Sequence, residues 1–460
     1  SLPSNDSPAE CTATVWPHPA PTVRQVGVAC IGCVLFGYHL GVVNAPLDAI
    51  AATLGFAGDA VRQGQVVSVG LAGAFLGSLG GGPLADGVGR KGSFAYTATT
   101  CAIGAAICAS ARSFSALLVG RLVCGVGIGA ALCCVSLFIP EVAPPSQRGF
   151  LCSLNQLFTC GGILLSIVAG LPLSRAGPAY WRKMFGVAVL PCLLQLCALL
   201  WVPESPRWLA QAGRKAEAQE AARRLWGEGA SVPAVEAGEV AKAAKGGGWS
   251  LLLSRRYRKL VAISSLLFVF QQFAGINAVV FFSTKVFANA GVGSAVVASI
   301  LVAACNIGGT ACAGQLLDRV GRKPLLVGSF LGMAVTMLLM AAALALPALA
   351  PLAPLFSVVG TVLYISAFAL GVGPIPAIMT GELLPAAVRA NGAATAFGVH
   401  WLCNIVIGNF FLIASQRFGV PVCYSAFGCV ALAGAGFCAA QVPETRGRSL
   451  EEIEAEYAPA

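Results

Sequence analysis

The chain has 460 residues; 10% are charged (29 Lys or Arg, 19 Asp or Glu) and 57% are hydrophobic, with a mean hydropathy of +0.80. A soluble domain carries about 25% charged residues, so these numbers describe an integral membrane protein and exclude a disordered chain, a secreted disulfide scaffold and a nucleic-acid binder. The 18 cysteines mostly sit singly in apolar runs, as at Cys30, Cys101, Cys192 and Cys305, where small hydrophobic packers are expected rather than disulfides or metal ligands.

A membrane-crossing helix needs about 20 apolar residues. Nearly charge-free windows of that size run through the chain: Gln25–Leu47, Gly64–Leu84, Gly92–Ala111, Leu117–Pro140, Gly149–Ser174 and Met184–Pro203. The first holds His39 and the fourth holds Arg121. A polar stretch, Glu204–Lys259, interrupts. Leu260–Thr284 and Val286–Leu317 resume, and Pro324–Gly381 is long enough for two spans folded back near Pro347–Pro354. Ala390–Gln416 and Phe418–Pro443 close the series. Lipid cannot satisfy backbone polar groups, and barrel-like alternation is missing, so each span is a helix. The expectation is an all-α membrane protein with twelve helices, six on each side of the polar stretch.

Twelve spans put both termini on one side. The opposite loops carry Arg62, Arg112, Arg175, Arg182, Lys183, Lys285 and Arg417; apart from intramembrane Arg121, the other cations lie on the side of the termini and linker. By the positive-inside rule that side is cytoplasmic, or its topological equivalent. The expected organisation is a tail (1–22), a six-helix bundle (23–203), a linker (204–259), a second bundle (260–443) and a tail (444–460). Within the linker, Lys215–Trp226 and Glu236–Lys245 read as short surface helices.

The halves repeat each other at a spacing of about 240 residues. Asp86-Gly-Val-Gly-Arg90-Lys91 returns as Asp318-Arg-Val-Gly-Arg322-Lys323. Glu141 and Arg148 return as Glu382 and Arg389, and Pro203-Glu204 with Arg207 returns as Pro443-Glu444. Such a repeat implies two bundles related by an axis along the membrane normal, with a cleft between them. Arg90, Glu141, Arg148 and Glu204 are expected to form one linker-side cluster, and Arg322, Glu382, Arg389 and Glu444 the other. Their expected role is a latch that holds the cleft shut on that side and breaks when it opens there.

Uncharged amides lie inside the spans at Gln156, Gln271, Gln272, Asn277, Asn306 and Asn404. Intramembrane polar groups face a cavity or a partner helix, and the sequence leaves both open. Gly275 in the seventh span, and Gly371, Gly373, Pro374 and Pro376 in the tenth, predict broken helices beside these amides.

The two Asp-x-x-Gly-Arg-Lys copies, Pro-Glu-Ser-Pro-Arg-Trp-Leu (203–209), Gln-Gln-Phe-Ala-Gly-Ile-Asn (271–277), Gly-Pro-Ile-Pro (373–376) and Pro-Glu-Thr-Arg-Gly-Arg-Ser-Leu (443–450) together resemble the sugar porters of the major facilitator superfamily, from about Val23 to Glu456. Leu35–Asn44, Gly186-Val-Ala-Val and Val399-His400-Trp401 resemble that family's plastidic glucose transporter branch of plants and algae. The resemblance implies the major facilitator fold and alternating-access transport of a glucose-like hexose. It implies no enzyme activity, cofactor or metal, and a membrane setting in the inner chloroplast envelope, with the plasma membrane as alternative. A sugar needs side chains that donate and accept, and a flat apolar wall. The resemblance carries sugar contacts onto the six amides, with Ile163 as an apolar neighbour, Trp401 and Phe368 as walls and Phe281 as an outer gate. Two departures stand out: Ala377 where many relatives have Trp, and His400 in place of an amide.

Proton-driven members of the family have an Asp in the first helix near an Arg on the fourth; here His39 faces Arg121. A guanidinium disfavours a neighbouring imidazolium, so a uniporter is expected. Proton symport is the alternative, because histidine titrates near physiological pH. A non-transporting sensor on the same fold is the third reading; about 17 residues follow the last span, where sensors carry long tails. Ser1–Ala20 is Pro/Ser-rich and Arg-poor, a weak targeting peptide, and the absence of an initial Met suggests an upstream segment.

Overall fold

The computed structural model describes residues 19–143, 148–227, 249–385 and 388–446. Among the described residues, eleven helical segments are long and apolar enough to cross a membrane. One of them, Ala60–Ser110, is two helices joined at Gly89, whose backbone leaves helical geometry (φ +82°). The spans therefore number twelve, as the charge-free windows predict. In order they are Pro19–Gly41, the two parts of Ala60–Ser110, Phe114–Val142, Arg148–Leu173, Tyr180–Ala198, Arg258–Asn289, Ala295–Val320, Arg322–Ala345, Ala353–Leu383, Arg389–Phe418 and Val420–Gln441. Leucines and aromatics such as Leu190, Leu200, Trp201, Leu339 and Phe410 stand exposed around the outside. A surface so apolar suits acyl chains and not water. Each described cysteine is a free thiol.

Local chemistry explains the ends. Asp59 and Ser113 accept hydrogen bonds from the backbone N–H groups of Arg62 and Ala116, capping the second and fourth spans. The first helix stops at Gly41, earlier than Leu47, and a short helix Leu47–Thr53 follows. The sixth span is broken at Ala188 into Tyr180–Val187 and Val189–Ala198. Pro191 lacks the N–H that would bond the Val187 carbonyl. The linker helix Lys215–Trp226 forms with its predicted bounds; Glu236–Lys245 lies outside the described residues.

Within the first half, the second span packs against the fourth at small residues. A side chain at Gly73, Gly77, Gly125 or Gly129 would strike the facing backbone. Between the halves, the second span packs on the eleventh and the fifth on the eighth. Adding six to each member turns one pair into the other, which is the pseudo-symmetry of the repeat expressed in packing.

Candidate functional site

The site begins at a broken helix. The tenth span stops at Leu370 and restarts at Ile375, freeing backbone groups that lipid cannot satisfy. Gln271 Nε2 donates to the carbonyls of Val372 (2.6 Å) and Gly373 (3.1 Å). Ser329 Oγ accepts from the Val372 N–H (3.0 Å) and donates to the Ala367 carbonyl (2.6 Å). The seventh span is broken at Gly275 (φ +100°), and there the Tyr364 hydroxyl donates to the Ala274 carbonyl at 3.0 Å. Gly and Pro make these breaks; buried polar side chains satisfy them.

From Gln271 a chain of amides runs on. Gln272 Nε2 donates to Gln271 Oε1 (3.2 Å) and lies 2.7 Å from His400 Nδ1. Asn277 Nδ2 donates to Gln272 Oε1. All three carboxamides are buried. Both N–H groups of Gln271 are thus committed to the tenth-span backbone, so this residue braces the break. Trp401 is buried and meets Phe36 of the first span edge-on, ring centroids 5.9 Å apart. It therefore stands on the seam between the halves. His400 lies edge-on to Trp401 (5.3 Å) and Phe268 (5.2 Å).

Asn306 on the eighth span and Asn404 on the eleventh are buried, and Oδ1 of each has no partner. An unmet buried acceptor costs about 1–3 kcal/mol, a cost that a ligand hydroxyl would relieve. Gln156 on the fifth span is half-buried and donates to Cys160 Sγ (3.6 Å), which lies 3.8 Å from Thr310 Oγ1 of the eighth. Ile163 is buried where the fifth span meets Gly37 and Gly41 of the first. Phe368 is buried at the end of the tenth-span helix, against Gly373.

His39 and Arg121 are both buried and adjacent, but not through their side chains. Arg121 Nη1 donates to the backbone carbonyl of His39 (3.0 Å) and Nε to that of Val66 (3.1 Å). Neither ring nitrogen of His39 has a partner. The expected imidazole–guanidinium contact is replaced by a cation resting on backbone carbonyls.

The side away from the linker is closed. Asn44 Nδ2 donates to the Val280 carbonyl and to Ser283 Oγ, both at 2.9 Å, and Oδ1 accepts from the Thr284 N–H at 3.2 Å. Lys285 Nζ reaches Asp48 Oδ1 (2.8 Å) and Gln63 Oε1 (2.7 Å). Ser68 Oγ donates to Asn409 Oδ1 at 3.4 Å. Phe281 is buried in this region, edge-on to Phe282.

On the linker side the two repeats build matching clusters. Arg90 forms a two-toothed pair with Glu141 (2.6 and 3.1 Å) and reaches Asp86 at 3.1 Å. Glu204 accepts from the N–H groups of Arg90 (2.9 Å) and Lys91 (3.1 Å). In the second half, Arg322 Nη2 pairs with Glu382 (3.1 Å), and Glu444 accepts from the N–H groups of Arg322 and Lys323, each at 3.0 Å. Arg207 is exposed. The side chains of Arg148, Asp318 and Arg389 lie outside the described set. Each described pair joins residues of one half and is intact while the far side is closed.

A family model described as "Sugar (and other) transporter" matches residues 26–457. The chain belongs to the sugar transporter family. Among this transporter's relatives, Plastidic glucose transporter 4 of Arabidopsis thaliana is 48% identical over 434 residues, covering 93% of this chain and 79% of the relative. The glucose transporter GlcP of Staphylococcus epidermidis is 33% identical, covering 93% and 96%. The solved inward-open conformation of the xylose transporter XylE from E. coli aligns at TM-score 0.81 and 27% identity, covering 95% and 99%. The proton:xylose symporter XylE bound to 6-bromo-6-deoxy-D-glucose aligns at TM-score 0.76 and 28% identity, with the same coverage. The transporter thus has the major facilitator fold, two six-helix bundles and a helical linker, and it is a membrane protein and not an enzyme.

Sequence reasoning missed several groups in this transporter. Asn44 in the turn after the first span, Asp48 on the short helix Leu47–Thr53, Gln63 on the second span and Lys285 on the seventh are joined to one another or to the seventh-span backbone, and Ser329 and Tyr364 repair the two breaks. Two opposite charges, Asp48 just after the first span and Lys285 in the seventh, were the available signal.

Proposed function

We propose that this transporter carries D-glucose or a similar hexose across a plastid envelope membrane by alternating access, as a facilitative uniporter. The observation that carries the proposal is the linked row of Gln271, Gln272, Asn277 and His400 beside Trp401 on the seam of the halves, with the buried, unpartnered oxygens of Asn306 and Asn404. Donor-and-acceptor groups against an aromatic wall suit a neutral polyol. In this proposal Gln156, Gln272, Asn277, Asn306, His400 and Asn404 contact the sugar, with Ile163, Phe368 and Trp401 as apolar walls. Gln271 holds the tenth-span break, and Phe281 with Asn44 closes the far side. The halves, 23–203 and 260–443, rock about that site, and the linker-side clusters brace each half. The names of the plant relatives support a plastid membrane, with the inner envelope first and the plasma membrane as alternative.

The test is uptake by the purified protein in liposomes. Saturable uptake of radiolabelled D-glucose, competed by unlabelled hexoses, is expected; uptake no better than in empty liposomes rejects the proposal. Uniport rests on Arg121, which is bonded to backbone carbonyls rather than to a carboxylate. Proton symport is the second reading, favoured by the likeness to the proton:xylose symporter XylE. Accumulation of glucose against its gradient after a pH step would decide for it.

A further inference from the structure

The directions of the hydrogen bonds in the amide chain determine what the chain can offer a ligand. The oxygen and nitrogen of a carboxamide are hard to tell apart by position alone. Here two backbone carbonyls decide. Val372 and Gly373 present only acceptors to Gln271, so the group facing them is its NH2. Gln271 therefore turns its oxygen to Gln272, and the atom of Gln272 that meets it is the nitrogen. That same nitrogen points its second N–H at His400 Nδ1, 2.7 Å away. The Gln272 oxygen is left to accept from Asn277. Flipping any one amide would set N–H against N–H or oxygen against oxygen. His400 Nδ1 is thus an acceptor, and in a neutral imidazole the proton must then sit on Nε2. The Phe268 and Trp401 rings flank the imidazole, and His400 itself is half-buried.

We infer that His400 is locked as the Nε2–H tautomer and offers that N–H as a donor to one oxygen of the sugar, so that the site selects for an acceptor at that ring position. The inference rests on the hexose reading above and adds to it a polarity.

Two measurements test it. In the first, glucose analogues compete for uptake in liposomes, each ring position carrying either hydrogen (deoxy) or fluorine (deoxyfluoro). Fluorine accepts but cannot donate. At one position the deoxyfluoro sugar is expected to compete nearly as well as glucose, while the deoxy sugar is weaker by about tenfold, the cost of leaving a donor unmet. His400→Phe should erase that gap at that position alone, and His400→Asn should keep it. A wild-type protein that treats the two analogues alike at every position overturns the inference, as does a gap that survives in His400→Phe. Failure of the hexose reading looks different, because then glucose itself is not taken up. The second measurement needs no variant of His400. Nitrogen-15 NMR of histidine-labelled transporter, with His18 and His39 assigned by substitution, reads the tautomer directly. Signals of an Nε2–H imidazole support the lock; an Nδ1–H imidazole or an imidazolium at neutral pH overturns it.

Discussion

A carboxylate oxygen of Glu204 occupies the space that a Cβ on Gly89 would need. Gly89 has φ +82°, and its counterpart Gly321 has φ +104° with Glu444 Oε2 2.7 Å from the same imaginary Cβ. The turn aims the first N–H groups of the third and ninth spans at these carboxylates, which cap them. Glycine here is required twice, by the left-handed backbone and by the carboxylate. Gly89→Ala and Gly321→Ala should each cost about 1–3 kcal/mol from the backbone conformation alone, with Gly89→Ala the worse because Glu204 stands closer to the added Cβ than Glu444 does at Gly321, and the Trp208 ring lies beside it. Thermal unfolding in detergent checks this; equal stability of Gly89→Ala and wild type would remove Glu204 as the reason for glycine.

Glu204 and Glu444 hold equivalent places but are tuned in opposite directions. Burial pushes Glu204 up, more than the N–H groups of Ser205, Lys91 and Arg90 and the Arg90 cation pull it down. Burial also acts on Glu444, but there the N–H groups of Arg446, Arg322, Lys323 and Thr445 outweigh it and hold the carboxyl below the usual range. A lowered carboxylate stabilises the fold above its unfolded pKa and loses that stabilisation as pH falls through the folded value. A raised one does the reverse, since ionising it costs the folded state. On acidification from pH 7 to about pH 4, the deficit of Glu444→Gln relative to wild type should shrink, while that of Glu204→Gln should grow. Melting temperatures of the two variants at both pH values test the sign. Parallel slopes would mean that the two caps are electrostatically alike.

The far gate offers a second handle. Lys285 bonds Asp48, which is exposed, and Gln63, which is buried. An exposed ion pair contributes up to about 1 kcal/mol, and the bond to a buried amide adds a similar amount. Lys285→Met should therefore raise the population open on the far side about tenfold, since about 1.4 kcal/mol is one decade. Alkylation of a cysteine introduced at Ser283 by an impermeant maleimide reports that opening. Lys285→Arg should change it little. Unaltered labelling in Lys285→Met would assign the closure to Asn44 and its three bonds instead.

The breaks in the helices could be read directly from the chain, because Gly275 and the Gly371–Pro376 cluster cannot continue a helix undisturbed. Lys215–Trp226 was equally legible, since a solvated helix is set by its own residues. The gate was not, because Asn44 and Thr284 lie about 240 residues apart and neither has unusual neighbours in sequence. The break at Ala188 was missed because Pro191 sits three residues after it, inside an otherwise apolar run. For the amides, sequence chemistry marks which residues are polar within lipid. Only the fold tells Gln271, spent on backbone carbonyls, from Asn306 and Asn404, whose oxygens are still unmet.

His39 is where the coupling question becomes testable. Its ring is buried, neither nitrogen is bonded, and Arg121 holds the backbone of residue 39 rather than its side chain. The imidazole therefore acts as a filler against Tyr38, whose ring lies 6.1 Å away. His39→Phe should keep glucose uptake within about threefold of wild type, because a conservative change of buried volume costs about 1 kcal/mol. His39→Asp is different: it puts a carboxylate beside a buried guanidinium, where ionisation depends on the pairing and on access to protons. That variant should respond to an imposed pH step, with uptake faster when protons run inward with the sugar, while wild type stays indifferent. Arg121→Gln should remove the response from the His39→Asp background. If wild type already accumulates sugar under the pH step, and His39→Phe abolishes that accumulation, the imidazole itself carries the proton and the uniport reading is wrong.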